Sequence, residues 1–207
     1  MQNPSSVGNK PVLVFATHNA NKVKEIQELL GHLYHIQSLN DIGCDEDIEE
    51  TASTLEGNAR IKALHVANNY GLDCFADDTG LEVDALQGAP GVFSARYAGT
   101  HGDAEANMAL LLQNLEGEAD EASRTAQFRT SICLVQAGKT RMFEGICRGH
   151  IATTRSGAQG FGYDPVFIPE GHVQTFADMT SAEKNAISHR GRAIRAMVET
   201  LDREANL

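Results

Sequence analysis

The run from Leu72 to Asp84 constrains this chain more than any other. Its apolar approach, Leu72 to Ala76, has the makeup of a buried strand and runs straight into adjacent carboxylates, Asp77 and Asp78. Gly80 supplies a flexible turn, after which Leu81-Glu82-Val83-Asp84 alternates as a half-buried strand does. Carboxylates at the end of a buried strand lose hydration, and a cation, a metal or donor hydrogen bonds must compensate them. Taken alone, the pair is better read as an acidic turn between two strands, where Asp-Asp pairs are common. The rest of the chain shifts the balance, because it supplies scattered phosphate-binding chemistry and no second acidic site of this kind.

Composition narrows the class. The 207 residues suffice for one large domain or two small lobes with a real core. A net charge of −11 repels phosphate backbones, which argues against nucleic-acid binding. An anionic ligand must then be held by a local cluster of Lys and Arg. Cys44, Cys74, Cys133 and Cys147 show no CxxC pairing or zinc-like spacing, and Cys74 and Cys133 sit in apolar runs as small core residues. No apolar run reaches membrane-spanning length and no signal-peptide core opens the chain. These features point to the cytoplasm and away from a membrane.

Residues 1–10 are polar and read as a poorly ordered start, leaving 11–207 for one large domain or two small lobes. Val12 to Ala16 is a buried strand, Thr17-His18-Asn19-Ala20-Asn21 a turn, and Lys22 to Leu30 an amphipathic helix with Gly31 as its C′ residue. This strand–turn–helix sets helix N-terminal amides at a strand's carboxyl end, an arrangement that binds anions. Lys22 and Lys24 lie in the first helical turn, where the helix dipole disfavours cations and a bound anion would remove the conflict. A solvated surface lysine accounts for Lys22 equally well.

Asn40 to Glu50 is acidic and reads as a mobile surface segment with solvated charges. Ser53-Thr54-Leu55-Glu56 has the form of a capping box opening a helix to Tyr70, with Ala59, Ala63, Val66 and Ala67 inward and Gly71 closing it. Gln87 to Gly91 is a turn, and Asp103 caps a helix to Leu115. Glu116 to Ser123 is an acidic loop, and Ala126–Val135 and Thr140–Ile146 form a hairpin through Ala137-Gly138. In Gly160-Phe161-Gly162-Tyr163-Asp164-Pro165 the glycines admit close backbone approach, while Phe161 and Tyr163 offer faces for a base to stack on. Thr180 to Glu183 is a second capping box, opening a short helix to Ile187, and Ser188 caps the last helix. That break puts His189 and Arg190 at a fresh helix N-terminus, a second dipole conflict that, with Lys22, suggests one polyanion. Helices alternate with strands early and strands pair later, the order of a mixed-sheet α/β protein.

Five stretches, in order, resemble a known family: Thr17-x-Asn19-x-x-Lys22, Ala76 to Leu81, Gly88 to Tyr97, Gly160 to Pro165, and Ser188-His189-Arg190-Gly191. They are similar to the motifs of the noncanonical purine nucleoside triphosphate pyrophosphatases, the inosine/xanthosine triphosphate pyrophosphatases, across nearly the whole chain. The sequence departs at His18, where many members carry Gly, and at Thr79, where many carry Ser. The resemblance implies a long central mixed sheet with flanking helices, two lobes around a substrate cleft, a Mg2+ requirement and a homodimer. It implies hydrolysis of ITP, dITP and XTP to the monophosphate and pyrophosphate. Carried over by position, Thr17, His18, Asn19, Ala20, Asn21, Lys22 and Lys184 bind the triphosphate. Asp78 is the proton acceptor and a metal ligand, and Glu50 aligns with an acidic residue that also reaches the metal. Thr79, Phe161, Gly162, Tyr163, Asp164, His189 and Arg190 contact the substrate. A pyrophosphatase of different base preference and a catalytically silent triphosphate sensor are the rival readings.

Overall fold

The computed structural model describes residues 10–118 and 120–205. Most of the polar start expected to be poorly ordered lies outside them. Lys10 is described, and its ammonium donates to the Gly31 carbonyl at 2.6 Å. The described strands are β1 (Val12–Phe15), β2 (His35–Ser38), β3 (Cys74–Val83), β4 (Pro90–Gly91), β5 (Thr125–Gln136), β6 (Lys139–Ile151) and β7 (Phe167–Pro169). The α-helices are α1 (Ala20–Leu30), α2 (Leu55–Tyr70), α3 (Ala104–Asn114), α4 (Ser181–Ile187) and α5 (His189–Ala205). Strands pair in the order β2-β1-β3-β5-β6-β7, with β4 on β3. Parallel and antiparallel pairs both occur, so the expected mixed α/β sheet is present. No helix among the described residues is long and apolar enough to cross a membrane.

The chain divides into two compact units: one runs to Asp78 and takes in Ser131–Phe143, the other holds Thr79–Thr130 and continues from Glu144. In the first unit β1 is parallel to both β2 and β3, with Val12 opposite His35 and Val14 opposite Cys74. Parallel neighbours need crossovers, and the segments carrying α1 and α2 supply them. The small residues Ala59 and Ala63, with Val66, let α2 pack against Val14, Ala16, Cys74, Ala76 and Cys133. Phe15 and Phe75 stack at 4.6 Å between ring centroids. Burial pushes the Cys74 thiol up to about 12 and Cys133 to about 11, as inert core residues require.

In the second unit Met108 and Leu111 of α3 pack with Leu81, Val83, Phe128, Phe167 and Phe176. The capping residue of α3 is Asp103, which accepts from the Ala106 amide at 3.0 Å. The hairpin turn between β5 and β6 places Ala137 and Gly138 at φ 47° and 73°, the left-handed pair a two-residue hairpin needs.

Several expectations are corrected. Asp77 to Gly80 do not turn; they continue β3 as one ten-residue strand. Gly80 is required there because a Cβ would meet the Gly91 carbonyl at 2.7 Å, so it marks close strand pairing. The cap of α2 is Thr54, one residue later than expected, and its hydroxyl accepts from the Gly57 amide. α1 begins at Ala20, which moves Lys24 into its second turn. Gly31 has φ −62°, so it is not a left-handed C′ residue; its hydrogen leaves room for Gln27. The acidic segment carries structure of its own: Asp41 accepts from the amide and hydroxyl of Ser38, each at 2.7 Å, which lowers its pKa.

One buried cation closes the second unit. Arg124 donates to the carbonyls of Ile151 and Ala152 at the end of β6 and just beyond it, and to Leu115 and Glu118 after α3. Its planar fork joins two chain segments that no helix or strand bond would tie. Arg124→Met strands these acceptors and should cost about 3–5 kcal/mol in urea denaturation. Arg124→Lys should recover only part of the loss, because one ammonium cannot reproduce the fork. A loss below about 1 kcal/mol for Arg124→Met would show the clasp to be dispensable.

Candidate active site

Two groups of polar side chains stand out, one in each unit. The first is built on β3. Successive residues of a strand face opposite ways, so the adjacent carboxylates part company. Asp77, 1% exposed, accepts from the Lys22 ammonium at 2.7 Å. Asp78 is also buried and accepts from the Asn58 side-chain amide at 3.1 Å. The Lys62 ammonium lies 3.9 Å from Asp78 and 2.5 Å from Glu50. Asn58 is itself fixed, because its side-chain oxygen accepts from the Ala52 amide at 2.9 Å.

The electrostatics of this group are uneven. Burial holds Asp78 above the ordinary carboxylate value; Lys62 opposes that, and the nearby Glu50 charge adds to it. Desolvation works against the Lys62 ammonium, but Asp78, Glu50 and Asp77 together hold it above the usual lysine value. The ammonium is therefore the secure ion. At Asp78 burial is the largest influence, and the Lys62 ammonium sits closer to Glu50 than to it.

The turn preceding α1 satisfies much of its own hydrogen bonding. Asn19 caps the helix by accepting from the amides of Asn21 and Lys22 at 3.0 and 3.2 Å, and Thr17 accepts from the Asn19 amide at 3.1 Å. Lys22 is the third residue of α1, so the expected dipole conflict exists, and Asp77 relieves it within the protein. His18 reaches back to the acidic segment, with Nδ1 2.8 Å from Asn40 Oδ1 and Nε2 3.0 Å from the Glu46 carbonyl. Ala20 is exposed at the first position of the helix.

The second group gathers around the start of α5. Thr180 and Glu183 form the expected capping box of α4. Ser188 then turns extended and accepts from the Gly191 amide at 3.1 Å, so α5 starts afresh at His189. Arg190 is buried, donates to the Thr79 hydroxyl at 3.3 Å and lies 5.7 Å from the centre of the Phe161 ring. Thr79 in turn is 2.6 Å from the hydroxyl of Thr130. Lys184 lies over the same Phe161 ring at 4.9 Å and donates to Asp164 at 2.6 Å. Asp164 also accepts from the Phe161 amide at 2.8 Å, which shapes the loop beginning at Gly160. At Gly160 the backbone is left-handed, and a Cβ would collide with the Asp164 carboxylate. Gly162, also left-handed with φ 62°, completes the loop.

Of the residues expected to meet a ligand, Tyr163 and His189 present no open ring. Tyr163 packs in the apolar core and donates to the Ser94 carbonyl at 2.9 Å, and burial raises its phenol. His189 is buried and stacks on Phe128 at 4.5 Å. Phe161 is therefore the aromatic face of this loop flanked by cations. Residue-by-residue reading missed Asn58, Lys62 and Thr130. A signal for two of them existed: Asn58 and Lys62 are four apart on α2, each one residue before the inward Ala59 and Ala63.

The sequence profile of the Ham1 family matches residues 13–200. The chain is similar to the dITP/XTP pyrophosphatase of Flavobacterium psychrophilum, at 54% identity over 187 residues, 90% of this chain and 97% of that protein. It is similar at 44% identity over 191 residues to the Bacillus subtilis dITP/XTP pyrophosphatase, covering 91% and 96% of the two chains. Its fold is similar to the solved HAM1 protein of Coxiella burnetii, with a TM-score of 0.83, 40% identity, and 93% and 98% coverage.

The two neighbouring carboxylates should respond oppositely to neutralisation. Asp77→Asn leaves Lys22 at a helix start without its 2.7 Å partner and should cost about 3 kcal/mol at neutral pH. Asp78→Asn should leave metal-free stability unchanged or raise it. A folded pKa above the unfolded one means the native state holds the extra proton, so stability falls as pH rises through that window. The Asp78→Asn advantage should therefore appear at neutral pH and vanish below the ordinary carboxylate range. Urea denaturation without divalent ions at acid and neutral pH measures both variants, and a destabilised Asp78→Asn would refute the assignment.

Proposed function

This chain belongs to the Ham1 family, and on that premise we propose that it hydrolyses noncanonical purine nucleoside triphosphates to the monophosphate and pyrophosphate. ITP, dITP and XTP are the substrates of this reading. The observation that supports it most directly is the Asp78 carboxylate, buried in mid-strand and held by Asn58 and Lys62.

Hydrolysis to pyrophosphate requires water to attack the α-phosphorus, with proton acceptance and charge neutralisation at the phosphates. Asp78 is the proton acceptor in this reading. Its carboxylate would orient the attacking water and take its proton. The turn from Thr17 to Lys22, with Lys184, binds the triphosphate. Thr79, Arg190, Phe161 and Gly162 contact the rest of the substrate. Phe161 supplies the face for the base, and Tyr163, Asp164 and His189 act by holding the loop and the start of α5 in place. Purine selection rests on donors meeting a 6-oxo group. A 6-amino group leaves such donors unpaired, a mismatch worth ~10⁴-fold or more.

Mg2+ belongs to the same reading, with Asp78 and Glu50 as ligands. Mg2+ takes oxygen donors, keeps several waters and needs only one or two protein carboxylates. The donor set fits. The Lys62 ammonium reaches both carboxylates, so Glu50 and Asp78 already converge on one cation position. Burial disfavours the charge on Asp78, and a divalent cation would offset that cost. When bound, the ion would polarise the phosphoryl oxygens and offset their charge. A homodimer and a cytoplasmic location complete the reading; the four buried, free cysteines suit a reducing compartment.

Product analysis tests the reaction class. With Mg2+, ITP and XTP should yield monophosphate and pyrophosphate, and ATP should turn over far more slowly. Orthophosphate and a diphosphate as first products would refute attack at the α-phosphorus.

A further inference from the structure

The Lys62 ammonium is unusual because it already does what a divalent ion at Glu50 and Asp78 would do. It sits 2.5 Å from one carboxylate and 3.9 Å from the other, on a side chain only 12% exposed. It projects from α2, the helix whose residue one turn earlier, Asn58, donates to Asp78. The same helix thus supplies both the fixed donor and the cation for the carboxylate pair. An ammonium and a divalent ion cannot both hold the close position on Glu50 at full strength, since each draws on the same oxygen charge.

We propose that Lys62 is the resident counter-ion of the Glu50 and Asp78 carboxylates, and that a divalent ion must displace it to bind them. This inference rests on the reading of Glu50 and Asp78 as Mg2+ ligands. It assigns Lys62 a role beyond folding. The ammonium preserves the carboxylate geometry while no ion is present, and it makes the pair a poor site for a bare ion. A metal arriving with a triphosphate brings extra ligands and meets a lower barrier to the exchange. Lys62 is a positioning residue in this scheme and a competitor of the metal.

The experiment reads metal binding without nucleotide, by the Mg2+ dependence of Tm. Lys62→Met should lower metal-free Tm by roughly 5–10 °C, because two carboxylates lose their cation. The same variant should bind Mg2+ about tenfold more tightly, seen as a lower half-saturation of the Tm increase. Lys62→Arg keeps the charge and should stay near the wild-type half-saturation. A merely structural lysine predicts the opposite sign, because a disordered site binds the ion less well. Equal or weaker Mg2+ binding by Lys62→Met therefore overturns the proposal. If Mg2+ shifts wild-type Tm and Asp78→Asn abolishes the shift, that result leaves the metal-ligand reading standing. If neither wild type nor Lys62→Met shows a shift, both fall. Should Lys62→Met fail to fold, the wild-type protein decides: the Lys62 ammonium resonance in 15N NMR should change on Mg2+ saturation, and an unchanged resonance overturns the proposal.

Discussion

Everything in the first unit answers to one demand, the compensation of carboxylates buried in the middle of a strand. β3 carries Asp77 and Asp78 at depths where an unpaired charge would be intolerable. The cations come from the flanking helices, Lys22 from α1 and Lys62 from α2. α2 is thereby fixed to the strand twice, once by apolar packing and once by an ion pair. The apolar part is conspicuously small on α2, where Ala59 and Ala63 bring the helix backbone close to the sheet. A helix with bulkier inward residues would stand too far off for Asn58 to reach Asp78.

The second unit solves a related problem with a different set of groups. Lys184 and Arg190 are buried cations, and both lie over the face of Phe161. Asp164 binds the Lys184 ammonium and the Phe161 amide together, so one carboxylate sets both the loop and the charge beside it. The break at Ser188 is what brings these residues together. An unbroken helix would rotate Arg190 away from Lys184, whereas two helices with separate caps allow each side chain its own direction.

Much of this was legible because it is local. The capping box at Thr180, the cap at Asp103, the break at Ser188 and the hairpin at Ala137-Gly138 all depend on residues within a few positions of one another. The misreadings share the opposite cause. Asp77 to Gly80 reads as a turn because charged residues and glycine ordinarily mark turns, and the partners that permit a strand lie at Lys22, Lys62 and Gly91. Tyr163 reads as a stacking face because nothing nearby reveals that its hydroxyl reaches Ser94. Lys62 is not legible in the sequence, since a lysine on a helix is normally solvated and only the tertiary arrangement of Glu50 and Asp78 makes it exceptional.

The strand conformation also resolves why two adjacent acids should carry different duties. In a turn, neighbouring carboxylates would crowd and repel, and their roles would be hard to separate. In a strand they point to opposite faces, each toward its own helix. Asp77 meets one lysine at 2.7 Å, a tight pair that anchors α1. Asp78 meets an amide and a lysine shared with Glu50, so its charge is only partly answered. The pairing that stabilises the fold and the imbalance that suits chemistry are thus set one residue apart by the two-residue period of the strand.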